Sequence, residues 1–115
     1  MGSVYNLGLA TGPAINGSTY STITIGTAGI YLFIFGVSQT FIGTLGSTNY
    51  LNISGTSTTT NNFGATSVIS GSGGQIGYNG SMLVSCTASA YNLIVNTNTN
   101  YSANPVGFFA AVRIA

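Results

Sequence analysis

Residues 28–37 read Ala28-Gly29-Ile30-Tyr31-Leu32-Phe33-Ile34-Phe35-Gly36-Val37, the longest apolar run of the chain. Ten residues is about half the length a helix needs to cross a bilayer, so the run is not a helical span. Its β-branched and aromatic side chains favour an extended strand. Carried on to Phe41, the strand divides by parity. One side presents Ile30, Leu32 and Ile34, the other Tyr31, Phe33, Phe35, Val37 and Phe41. An antiparallel sheet in a free monomer normally leaves one face wet and polar, and this strand is apolar on both. The closing segment repeats the pattern, with Val106, Phe108, Ala110, Val112 and Ile114 alternating with Phe109 and Ala111. Either a long loop covers the second face or another subunit does. Large aromatics left in water on a chain with almost no charge invite aggregation, so the subunit interface is preferred.

The 115 residues suffice for a single domain, 1–115, with its own core. Gly, Ser, Thr and Asn make up just over half of the chain, a composition that taken alone suggests low complexity. The 44% hydrophobic content, with seven Tyr and six Phe, argues instead for an ordered chain. There is one Arg and no Lys, Asp, Glu or His. General acid and base catalysis needs a group that carries a proton near neutral pH, and none exists. A hydroxyl without an adjacent base is a poor nucleophile, which removes serine hydrolase chemistry. One Cys and neutral oxygens cannot close a zinc shell, and calcium held by carbonyls and amides alone is weak. One Arg cannot neutralise a phosphate backbone, so nucleic acid is excluded as a partner. The expectation is a non-enzymatic structural or binding module without a cofactor or metal.

The N-terminus carries no basic targeting region, and no membrane insertion is expected. A transmembrane barrel of eight strands would consume nearly the whole chain, and the aromatics do not flank strands as two girdles. A single Cys forbids an intrachain disulfide. Alternation puts Met82, Val84, Cys86 and Ala88 on one face and Ser85 and Thr87 on the other, which makes Cys86 a small buried residue. A reactive thiol needs a cationic neighbour, and only Arg113 is on offer.

Helix signals are nearly absent. Candidate strands are Val4 to Leu9, Ser21 to Ile25, Gly29 to Phe41, Tyr50 to Ser54, Ala65 to Ser70, Ser81 to Ala88, Tyr91 to Asn96 and Val106 to Ile114. Turn chemistry separates them, as in Gly12-Pro13, Asn16-Gly17, Gly43-Thr44-Leu45-Gly46, Gly71-Ser72-Gly73-Gly74, Asn79-Gly80 and Asn104-Pro105. Residues 55–62 form a polar loop. Short strands at this spacing, without an internal repeat, indicate an all-β sandwich or barrel.

The run Ile23-Thr24-Ile25-Gly26-Thr27-Ala28-Gly29-Ile30-Tyr31-Leu32-Phe33-Ile34-Phe35-Gly36-Val37 resembles the C1q/TNF-like superfamily, whose pattern is a short strand, a Gly turn and a G-x-Y-x-F-x-x-x-V strand. Residues 107–115 are similar to that family's aromatic-rich final strand, and Tyr50-Leu51-Asn52-Ile53-Ser54-Gly55 to its next strand with an Asn-containing turn. The order of elements agrees over roughly residues 20 to 115. The chain departs at Ala88-Ser89-Ala90-Tyr91, where the family usually has a Gly-Asp turn, and it lacks the family's calcium-binding acids. The resemblance implies an antiparallel jelly-roll sandwich of about 8 to 10 strands, and a homotrimer with aromatics stacked along its axis. The candidate interface or core residues are then Tyr31, Phe33, Phe35, Val37, Phe108 and Phe109. Uncharged members of this kind look like heads of phage or viral fibres and capsid appendages, or tips of spore-surface filaments, which nucleate trimers and present loops to a host surface.

Arg113 has no acidic side chain to pair with, so two readings stand: pairing with the carboxylate of Ala115, or an exposed guanidinium whose stem lies along Phe109 and Ala111. Three copies of Arg113 forming an anion site on the axis is the weaker third. Sequons begin at Asn16, Asn52, Asn79 and Asn100, a number that chance explains in so Asn- and Ser-rich a chain. Receptor contacts are expected from loops, at Thr58, Asn61, Asn79, Asn98 and Tyr101, whose chemistry suits neutral glycans or a host receptor. The leading expectation is a virion-surface or extracellular attachment module that assembles with itself and within a larger particle. A filament or spore-surface subunit and a monomeric glycan-binding sandwich are the alternatives.

Overall fold

The computed structural model describes residues 4–7, 17–55, 62–64, 67–69, 74–101 and 105–115, and among them there is no helix. Ten strands follow in order: β1 (Val4–Leu7), β2 (Ser18–Thr24), β3 (Gly29–Ile42), β4 (Asn49–Gly55), β5 (Asn62–Gly64), β6 (Ser67–Ile69), β7 (Gln75–Cys86), β8 (Ala90–Thr97), β9 (Asn100–Tyr101) and β10 (Val106–Arg113). They form two antiparallel sheets. One has the order β1-β10-β3-β7-β6 with β9 also on β3, and the other the order β2-β8-β4-β5. This is the expected jelly-roll sandwich. β4–β5 and β6–β7 pair as sequence neighbours, while the pairings of β3 with β7 and β10 and of β8 with β2 and β4 join strands distant in sequence.

The β3 strand is the backbone of the larger sheet. It pairs with β7 from Gly29↔Cys86 to Thr40↔Gln75 and with β10 from Tyr31↔Arg113 to Ser38↔Val106. Alternation along β3 sends Tyr31, Phe33, Phe35, Val37, Gln39 and Phe41 inward, where all are buried. They meet Ile23, Leu51, Ile53, Tyr91, Leu93 and Val95 of the smaller sheet. Ring contacts join the layers: Phe33 lies 5.7 Å from Tyr91 between ring centroids and 5.6 Å from Phe109 in its own sheet. Phe35 meets Phe63 edge-on at 4.9 Å.

Three expectations are corrected. Asn79-Gly80 is not a turn but lies within β7, which begins at Gln75. Gly80 faces the core, where a Cβ would sit 2.6 Å from Phe35 Cζ and from Phe63 Cδ1, so the glycine admits two rings rather than bending the chain. Part of the polar stretch 55–62 enters β4 and β5, and Asn100–Tyr101 forms β9 on β3. The 87–89 turn, which carries the chain from one sheet to the other, is held by Thr87 N–H donating to Tyr91 Oη at 2.8 Å. Ile25 N–H donates to Ser89 O at 3.0 Å.

Candidate interaction surface

With one parity of β3, β7 and β10 turned inward, the other parity makes the outer face of the larger sheet. The register lines it up in rows. Leu83, Leu32 and Val112 form one row; Ser81, Ile34 and Ala110 the next; Asn79, Gly36 and Phe108 a third; and Gly77, Ser38 and Val106 a fourth. Ile30 and Ser85 lie beyond Leu32 and Leu83. Leu83 is 62% exposed, Val106 71% and Phe108 45%, and Ile30 and Ile34 are also exposed. No charged side chain lies in these rows.

The face has two parts. From Ile30 to Ile34 it is a ridge of branched aliphatic side chains. Toward Ser38 it sinks into a hollow of about 280 Å³ at Gly36, Ser38, Gly77 and Asn79, rimmed by Val106 and Phe108. The hollow exists because its floor is glycine. A Cβ on Gly36 would come within 2.9 Å of both Asn79 Oδ1 and Phe108 Cε1. Gly107, at φ +148°, brings β10 so close to β3 that a Cβ there would overlap the Gly36 carbonyl oxygen.

Of the six residues expected at an interface or in the core, Tyr31, Phe33, Phe35, Val37 and Phe109 are buried inside the protomer, between the two sheets. The aromatic stack is therefore intramolecular, which corrects the expectation of aromatics along a subunit axis. Only Phe108 faces outward. The aliphatic parity of β3, not the aromatic one, is what the molecule shows to its surroundings. Bulk decides the choice, since the larger rings fill the space between sheets.

The expected receptor residues scatter. Thr58 and Asn61 lie outside the described residues. Asn79 is exposed, but on the outer face of β7 beside the hollow rather than in a loop. Tyr101 is buried, so it is no receptor contact. Asn98 is exposed, and its side chain is already engaged: Oδ1 accepts from Thr48 N–H at 2.9 Å and Nδ2 donates to Ser47 Oγ at 3.3 Å. Thr99 Oγ1 accepts from Gly46 N–H at 2.6 Å. These bonds fix residues 46–48 against residues 98–99 as one rigid end of the sandwich.

Arg113 has the parity of Phe109 and Ala111, and so lies away from the outer face. This rules out three guanidinium groups converging from that face as an anion site. The side chain crosses over Gly29, where a Cβ would lie 2.6 Å from both Arg113 Nε and Ala115 O. Arg113 and Ala115 are thus brought together without an ion pair, and the buried Nε has no hydrogen-bond partner. Cys86 is free and buried, and burial pushes its thiol pKa up. Asn52 is buried too, so that sequon is closed to sugar in the folded chain.

Sequence reasoning missed a polar cluster inside the sandwich. Tyr20 Oη donates to Gln39 Oε1. Tyr78 and Tyr101 hydroxyls lie 3.0 Å apart, Tyr101 Oη donates to Asn49 Oδ1 at 3.4 Å, and Thr97 Oγ1 donates to the same oxygen at 2.5 Å. Nothing local signals it, because every partner is remote in sequence.

Two layers of this order, joined by that inward aromatic set, decide the comparison. The fold is similar to that of a C1q globular domain. The solved globular domain of zebrafish complement 1qA protein superposes with a TM-score of 0.62 and 11% sequence identity, covering 97% of each chain. No protein-family model and no curated protein sequence matches this chain.

Proposed function

We propose that residues 1–115 form one C1q-like domain that works as a structural and attachment module, a homotrimer on a virion surface or similar extracellular appendage. The neutral apolar outer face of the β1-β10-β3-β7-β6 sheet carries this reading. Exposed Ile30, Ile34, Leu83, Val106 and Phe108 belong to one contiguous surface, which in a lone molecule is an association site or a liability. The chain has a single charge and therefore little colloidal repulsion. A partner without charges fits this face, and a second copy supplies one. The resemblance to C1q/TNF-like domains favours three copies. Thr58, Asn61 and Asn98 have side chains whose chemistry suits a neutral glycan or protein on a host surface.

Size-exclusion chromatography with light scattering tests the association. The wild-type chain is expected at three times its 11.6 kDa mass, and Leu83→Asp at the monomer mass with an unchanged far-UV circular dichroism spectrum. A monomeric wild type overturns the proposal. The attachment role is tested on a glycan array with the intact assembly, where binding to neutral sugars is expected and an array without signal refutes it.

A further inference from the structure

The buried hydroxyls have a direction. Tyr101 donates to Asn49 Oδ1, so the bond between the two tyrosines runs from Tyr78 to Tyr101. Thr97 Oγ1 also donates to Asn49 Oδ1, and Thr99 N–H donates to Thr97 Oγ1 at 2.9 Å. Tyr20 donates separately to Gln39. Six strands meet here: β2 through Tyr20, β3 through Gln39, β4 through Asn49, β7 through Tyr78, β8 through Thr97 and β9 through Tyr101. The cluster thus ties both sheets together at the Gln39 end of β3.

Each acceptor in this cluster needs the proton it receives. A phenolate at position 20 or 78 would turn its oxygen's negative charge on the amide oxygen it formerly bonded or on a neighbouring hydroxyl. Among the described residues no counter-ion is at hand. The titratable groups facing one another are Tyr20, Tyr78 and Tyr101, while Gln39, Phe41, Asn49 and Thr97 carry no charge. The one cation, Arg113, is paired in register with Tyr31 near the opposite end of β3, about eight residues or roughly 25 Å from Gln39. Cys86 is farther off, opposite Gly29.

We propose that this cluster is an alkaline latch, which keeps its end of the sandwich shut at acid and neutral pH and lets it open when hydroxide removes the phenolic protons. Burial is the first cause pushing the hydroxyls of Tyr20 and Tyr78 well above the ordinary phenol value; the bond to Tyr101 adds to it for Tyr78. The neutral form is the one the fold favours. Its stabilisation is complete below the unfolded tyrosine value of about 10 and is lost as pH rises above it, because only the unfolded chain then gives up the protons. The latch is a property of one protomer and stands whether or not the chain trimerises.

The test is a paired titration from pH 7 to 13, reading tyrosinate absorbance at 295 nm and far-UV circular dichroism on the same samples. The buried hydroxyls are expected to ionise only together with the loss of β signal. Above about pH 11 the unfolding equilibrium is expected to move about hundredfold per pH unit more steeply than in a chain lacking both groups. Tyr78→Phe and Tyr20→Phe should each remove about tenfold per pH unit, and Thr22→Val, which breaks a bond to Asn92 outside the cluster, should leave the slope unchanged. Full tyrosinate absorbance with intact β signal overturns the proposal, as does a wild-type slope in both tyrosine variants. Should one variant fail to fold, the other and the wild-type titration still decide.

Discussion

Phe108 and Phe109 are neighbours in β10 and face opposite worlds: Phe109 is fully buried and stacks on Phe33 at 5.6 Å, while Phe108 is 45% exposed above Gly36. Truncating the two must therefore do different things. Phe109→Ala empties core volume between the sheets and should cost about 3–5 kcal/mol of folding stability, a large share of the total for a domain this small. Phe108→Ala should change monomer stability by less than about 1 kcal/mol and weaken self-association instead. Urea unfolding at low protein concentration reads the first effect, and light scattering across a dilution series reads the second. Equal losses of stability would contradict the orientation of β10.

Gly107 is the point at which β10 presses on β3. Its φ of +148° is open to glycine, and a Cβ would overlap the Gly36 carbonyl oxygen. Gly107→Ala therefore carries both backbone strain, of about 1–3 kcal/mol, and a backbone clash that no side-chain rotation relieves. The expected result is a fall in melting temperature with loss of hydrogen-exchange protection along Phe108 to Val112. Gly26→Ala, where a Cβ meets nothing within 4 Å, is the control and should melt close to wild type.

Much of this architecture is legible in residues 28–37, because a short run rich in β-branched and aromatic side chains favours an extended strand even where both of its parities are apolar. What is not legible is which of two apolar parities enters the core. Tyr31, Phe33 and Phe35 win over Ile30, Leu32 and Ile34 by volume, which is a property of the space between sheets and not of the strand. The start of β7 is hidden for a related reason. Asn79-Gly80 has the chemistry of a turn, and only the rings of Phe35 and Phe63, distant in sequence, show why a glycine stands in mid-strand. Tyr101 reads as a loop residue until β9 pairs with β3 and puts its hydroxyl beside Tyr78.

The rigid end at residues 46–48 depends on Asn98. Its carboxamide bonds Thr48 N–H and Ser47 Oγ, while the Asn98 backbone N–H bonds Thr48 O at 2.8 Å. Asn98→Ala removes the two side-chain bonds and keeps the backbone one. The bonds are at the surface, so the loss of global stability should be small, about 1 kcal/mol. The local effect is larger: Thr48 N–H should exchange at least tenfold faster while Val95 N–H in β8 is unchanged. Unaltered exchange at Thr48 would show that the backbone contact alone holds the segment.

Cys86 should behave as an inert core residue. Burial raises its thiol pKa, so the fold favours the neutral thiol; this adds stability below the unfolded value of about 8.5 and withdraws it as pH climbs through the alkaline range. At pH 8 a thiol reagent should label Cys86 only at the rate of unfolding, and adding urea to the transition midpoint should accelerate labelling by orders of magnitude. Fast labelling of the native chain would mean that Cys86 is reached without unfolding and would contradict its burial.

The absence of Asp, Glu, His and Lys makes a final prediction about both fold and assembly. Acid unfolding normally arises from carboxylates that are paired in the native state, or from histidines buried neutral, and this chain has neither. No side chain changes its protonation between about pH 4 and 8, so the melting temperature should be flat across that range. The outer face holds no ion pair for salt to screen, so the oligomer found at low ionic strength should persist at 1 M sodium chloride, with added salt favouring apolar burial if it acts at all. Melting curves at pH 4, 6 and 8, together with light scattering at low and high salt, measure both. A marked loss of stability near pH 4.5, or dissociation by salt, would show that charges outside these residues hold the molecule together.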